Sequence, residues 1–178
     1  MLKKSSLKLL VVAVLTLASG SAFSAAANAN LAVSASVSQN CTISTTTDLA
    51  FGAYDPVGAN ASTALNVTGN VSVACTKGAT GLTIGMDNGL HVSGTQRQMA
   101  NGAERLLYDL YQPTGGSPTP AGTCPGGTGT LWTSAAPLTL TSPSSKAARA
   151  YNVCGTIPAG QDVAAGAYTD TVSATINF

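Results

Sequence analysis

Charge is what this chain has least of. Only 8% of its 178 residues are Asp, Glu, Lys or Arg, and one histidine and one tryptophan are present. Three of the eight basic residues, Lys3, Lys4 and Lys8, sit at the extreme N-terminus. Without them, five basic residues face seven acidic ones, which leaves no basic field to hold nucleic acid. With His91 as the only histidine, a Ser-His-Asp arrangement would have to use it, and it follows the turn-forming Asp87–Asn88–Gly89 in GLHVSG rather than any nucleophile motif. The carboxylates Asp48, Asp55, Asp87, Glu104, Asp109, Asp162 and Asp170 are scattered. No pair of cysteines has CxxC spacing, so no metal site is expected. The glycines between 115 and 129 lack the Lys and helix of a phosphate loop. These absences argue against an enzyme, and no cofactor is expected.

What is present begins with an export signal. Lys3, Lys4 and Lys8 precede the apolar run Leu9–Ala18, which is too short to span a bilayer, and small residues follow. Small-x-small cleavage sites fit after Ser24, Ala26, Ala27 or Ala29, so residues 1–26 are assigned as signal peptide. In an exported chain, four cysteines read as disulfides. Of the three possible pairings, Cys41–Cys75 with Cys124–Cys154 is favoured, since each joins neighbours in sequence order.

Beyond residue 26 no helical period appears, and short alternating runs separated by Gly, Asn, Asp and Pro predict an all-β sandwich. Strands are expected over Leu31–Val37, Cys41–Thr45, Leu49–Gly52, Leu65–Cys75 (with a bulge at Gly69), Leu82–Met86, Arg105–Gln112, Leu138–Leu140, Ala150–Ile157 and Tyr168–Phe178. The stretch Pro113–Gly129 reads as a loop tethered by Cys124. Trp132 beside that loop is either a loop anchor or a binding aromatic.

The last run, YTDTVSATINF, puts Val172, Ala174, Ile176 and Phe178 on one face and Thr171, Ser173, Thr175 and Asn177 on the other. The apolar row reaches the final residue with nothing to cover an edge, so another chain is expected to pair there.

Five segments together, LAVSASVSQNCTIS, LAFGAYDP, VSVACTKG, YDLYQ and GTIPAGQDVAAGAYTDTVSATINF, resemble the spore coat U domain proteins, subunits of archaic chaperone–usher pili. The second cysteine pair departs from that pattern, with Cys154 standing where an aromatic is often expected and Cys124 as its partner. The resemblance implies an incomplete immunoglobulin-like sandwich that lacks its last strand and is completed by donor-strand complementation. A periplasmic chaperone would lend a strand. At the outer-membrane usher the next subunit's N-terminal segment would replace it, giving a head-to-tail fibre on the cell surface for adhesion and biofilm formation.

Mapped onto this chain, residues 41–178 are the pilin domain and Val172, Ala174, Ile176 and Phe178 its chaperone-binding rim. Residues 27–40 hold the donor, with Leu31, Val33, Ala35 and Val37 as its plugs. A competing reading makes Leu31–Val37 the domain's own first strand and leaves only the short stretch before it as donor; the donor reading is favoured. Two rival functions stand beside this one: a carbohydrate- or surface-binding module using Trp132 and the Cys124 loop, and a coat protein that does not polymerise.

Overall fold

The computed structural model describes residues 25–115 and 122–178. Most of the signal assignment and part of the 113–129 loop lie outside these residues. Residues 25–36 fall outside the unit Val37–Phe178. They adopt no strand and are solvent-exposed.

The described part of the second unit is all-β. Its strands are β1 (Cys41–Thr47), β2 (Leu65–Cys75), β3 (Thr83–Met86), β4 (Arg97–Asn101), β5 (Glu104–Tyr111), β6 (Leu138–Thr139), β7 (Arg149–Ile157) and β8 (Ala174–Asn177). One sheet has the order β1-β2-β7-β5-β4, the other β6-β3-β8. Val71, Val73, Tyr151 and Val153 of the first sheet pack with Ile84, Met86 and Leu138 of the second in one core, as alternation along each strand requires. β8 pairs antiparallel with β3, Thr83 opposite Asn177 and Ile84 opposite Ile176.

Two disulfides form, Cys41–Cys75 and Cys124–Cys154. The first links directly opposed residues of β1 and β2. Asn40 and Thr76, one step further out, are joined by the Thr76 N–H to Asn40 carbonyl bond. By antiparallel alternation Cys41 and Cys75 are then a non-hydrogen-bonded pair, the kind whose side chains lie closest. The second ties the 113–129 loop to the outer face of β7. There the Asn152 side chain also donates to the Gly122 carbonyl at 2.7 Å.

Several expectations need correction. Gly69 is not a bulge: β2 stays in register with β7 there, Gly69 opposite Val153, and the irregularity falls in β1 between Thr45 and Thr47. Gly69 is small for another reason. A Cβ on it would lie 2.9 Å from Leu49 Cγ, and one on Gly155 would lie 2.7 Å from Leu49 Cδ2 and Phe51 Cζ. The two glycines make a trough on the inner face that holds Leu49 and Phe51. Residues 49–52 therefore cross the sheet as irregular chain rather than forming the expected strand. The strand β4 was not expected, because RQMAN shows no apolar alternation. Its inward Arg97 is buried and bonds the carbonyls of Met86, Asp87 and Trp132 in place of an apolar contact.

The last strand is shorter than Tyr168–Phe178. Thr169 exchanges hydrogen bonds with Ala100 of β4, whereas the Ser173 carbonyl accepts from Asp87 N–H just beyond β3. The chain changes sheets between those points, so only Ala174–Asn177 remains in a ladder.

Candidate functional site

Among the described residues β8 pairs on one side only. The bond from Asp87 N–H to the Ser173 carbonyl sets the phase: Ser173, Thr175 and Asn177 turn their backbone groups toward β3. Ala174 and Ile176 turn theirs to the open edge. The side chains of Ala174 and Ile176, with Val172, are half-buried against the core. The residues that face inward are thus the ones whose N–H and C=O groups await a partner. The same argument from Asn40–Thr76 leaves Cys41 and Ile43 of β1 with outward backbone and inward side chains.

A cleft of about 440 Å³ runs over Leu49, Phe51, Val71, Tyr108, Val153, Val172 and Ala174. A second, of about 570 Å³, continues it past Tyr54, Leu106, Ile157, Val163 and Tyr168. The two share Leu49, Phe51, Met99 and Tyr168, and polar residues, Thr45, Asp48, Asn70 and Asp170 among them, line the first beside the apolar ones. Phe51 meets Tyr108 edge-on in its floor, with centroids 6.2 Å apart.

One lip of the groove is fixed by Asp170, whose side chain is 2% exposed. Its carboxylate accepts from Tyr108 Oη at 2.6 Å and from Leu90 N–H at 2.9 Å, and lies 3.1 Å from His91 Nδ1. Asp87 works alongside it, accepting from the N–H groups of Gly89 and Ser173. Burial alone would push the Asp170 carboxyl up. Hydrogen bonds from Tyr108, the backbone of Thr171 and Leu90, and His91 outweigh burial and hold it below the usual carboxylate range. Burial first, then the Asp170 contact, pushes the Tyr108 phenol up. A depressed folded-state value means that Asp170 stabilises the fold fully above the unfolded carboxyl range, near pH 4. That contribution is lost as pH falls through the folded value. The parental domain is expected to lose stability on acidification below about pH 4 more steeply than Asp170→Asn. Urea midpoints across that range check it, and parallel curves would refute the assignment.

The other lip is held by Gln161. Its side-chain amide bonds both backbone groups of Leu107, accepting from N–H at 2.7 Å and donating to C=O at 2.9 Å. Tyr54 Oη meanwhile accepts from Gln161 N–H and donates to the Pro158 carbonyl.

The expected site residues fall as follows. Val172, Ala174 and Ile176 line the inner side of the open edge, while Phe178 follows the strand and is 53% exposed. Leu31, Val33 and Val37 are 87%, 87% and 85% exposed, and Ala35 is exposed as well; none lies in a strand. Trp132 is fully buried and donates from Nε1 to the Ile84 carbonyl. It is a core anchor, which removes the aromatic on which a binding-module reading depended. Asp170 was missed, although it shares the parity of Val172 and Ala174 and so marks an inward carboxylate. Gln161 carried no periodic signal, and Leu49 and Phe51 were expected in a strand rather than at the groove. Among the described residues no three His, Cys, Asp or Glu side chains gather to hold a metal ion.

The Spore Coat Protein U domain model matches residues 27–175. Protein U of Myxococcus xanthus is 36% identical over 191 residues, an alignment covering 98% of this chain and 99% of that protein. Among solved structures, a chaperone–tip adhesion subunit pre-assembly complex from archaic chaperone-usher Csu pili of Acinetobacter baumannii aligns at a TM-score of 0.47 and 20% identity. That alignment covers 80% of this chain and 40% of the other.

Proposed function

The chain belongs to the Spore Coat Protein U domain family, and from that membership and the open groove we propose that it is a structural subunit of a chaperone–usher pilus. Subunits join head to tail by donor-strand exchange. The fibre reaches the cell surface through the periplasm and serves adhesion and biofilm formation. The observation that carries this reading is the edge of β8, where inward apolar side chains coincide with backbone groups that no described strand pairs, beside a cleft lined by Val172 and Ala174. An extended segment laid there would gain main-chain hydrogen bonds along the edge and pockets for alternate side chains.

The same chain carries such a segment. Leu31, Val33, Ala35 and Val37 alternate with small polar residues, stand exposed, and fall within the family match, which begins at residue 27. Burying Leu31, Val33 and Val37 is worth roughly 1.5–3 kcal/mol each, Ala35 less, before the cost of ordering the segment. Because donor and acceptor lie at different places on the subunit, the contact is heterologous and does not close on itself. A periplasmic chaperone occupies the groove first, and an outer-membrane usher is the place of exchange.

The test is expression of the exported chain in the periplasm with and without its chaperone, followed by size exclusion. A soluble one-to-one complex obtained only with chaperone is expected. A stable monomer without any partner would overturn the proposal and favour the non-polymerising coat protein.

A further inference from the structure

Resting on the assembly reading above, we infer that residues 38–41 are an orienting clamp that fixes the direction in which the donor arm leaves its own domain. The stretch SQNC lies between exposed Val37 and the body of β1, where polar residues of this kind make a flexible linker if left alone. Here both polar atoms of the Gln39 amide are engaged by one residue. Nε2 donates to the Thr80 carbonyl at 3.0 Å, and Oε1 accepts from Thr80 N–H at 3.1 Å. The Thr76 hydroxyl accepts from Asn40 N–H at 3.0 Å and lies within donating distance of the Ser38 and Asn40 carbonyls, at 3.4 and 3.3 Å. Thr76 N–H donates to the Asn40 carbonyl at 2.9 Å, and Cys41 is bonded covalently to Cys75.

The turn that receives these bonds is itself anchored. Ala79 N–H donates to the Thr76 carbonyl, and Gly78 N–H to the Pro143 carbonyl. Ala79 is buried. Four consecutive residues are therefore tied to residues 75–80 from both sides of the chain.

Gln39 and Thr76 make exposed contacts that bury little apolar surface, so they contribute more to specifying a conformation than to holding the fold. If Val37 is the last plug seated in a neighbouring copy, only about 10 Å of chain separates it from β1. With that chain held, the orientation of each subunit on the next follows from Gln39, Thr76 and Thr80 rather than from a free hinge.

Two variants test this, Gln39→Ala and Thr76→Val, each produced with the chaperone. Backbone amide relaxation of residues 38–40 in the chaperone-bound parental subunit is expected to match that of β2, and to loosen in Gln39→Ala. Complex yield and melting temperature should stay at parental values. Fibres of either variant, imaged by electron microscopy, are expected to show a broader distribution of inter-subunit angles and a persistence length reduced by about half. Variant fibres indistinguishable from parental ones, or relaxation of parental residues 38–40 unchanged in Gln39→Ala, would overturn the clamp while leaving the pilus reading in place. Failure of the parental chain to form fibres would overturn both.

Discussion

Replacing Ile176 with Asp is expected to abolish recovery of the folded subunit, alone or with its chaperone. Ile176 lies opposite the fully buried Ile84 in the β3–β8 ladder, with its side chain turned into the sandwich. A carboxylate placed there has no cation or hydrogen-bond donor assigned to receive it. Leaving it charged in apolar surroundings costs several kcal/mol, which is comparable to the whole stability of a domain of this size. The substitution acts twice, since it weakens the pairing that positions β8 and puts a charge on the surface that an added strand must cover. Ile176→Val separates the two effects. It keeps the shape and inward apolar character and should cost only about 0.5–1.5 kcal/mol, so chaperone capture should persist. The measurement is the yield of chaperone-bound subunit from periplasmic extracts. Parental yield from Ile176→Asp would refute the assignment of β8 as the acceptor edge.

Val33→Asp is expected to have an equally large effect on a different quantity. Val33 is exposed and outside any strand, so the substitution leaves the core and β8 untouched. Folding, melting temperature and the one-to-one chaperone complex should therefore match the parental chain. Polymerisation should fail, because seating the arm would carry an unpaired carboxylate into the apolar floor built from Leu49, Phe51 and Val153. Ladders resistant to mild denaturant, resolved by unheated gel electrophoresis, report the outcome. A mixture of parental and Val33→Asp subunits should cap fibres and shorten them, because the variant still offers a groove but no usable arm. Fibres of normal length from the variant alone would show that Leu31–Val37 is not the donor.

The all-β architecture was legible because alternation is a local property. The runs at 65–75, 82–86, 105–112 and 150–157 each match a strand to within a few residues. Other features depend on distant partners and leave no periodic mark. Leu49 and Phe51 lie in a trough made by Gly69 and Gly155, which come together only when β2 pairs with β7. β4 is polar because its inward Arg97 is satisfied by carbonyls from residues 86, 87 and 132. The acceptor edge itself was half visible: the apolar row was readable, but not the phase that turns the backbone of Ala174 and Ile176 outward. That phase is set by Asp87, more than eighty residues upstream of Ser173. Asp170 breaks an apolar row because Tyr108, Leu90 and His91 converge on it from other parts of the chain.

The pairing of β8 with β3 also governs timing. Thr83 and Asn177 are adjacent in space but more than ninety residues apart in the chain, and β2 reaches β7 across a separation nearly as long. Contacts this distant are slow to form, because the entropy of closing the loop must be met before any of them is rewarded. β8 follows the other described strands along the chain, so the groove cannot exist until all of them are available to pair. During that interval β3 and the inner faces of β2 and β7 stand uncovered. Rapid capture of the late-arriving β8 would couple its docking on β3 to the completion of the fold.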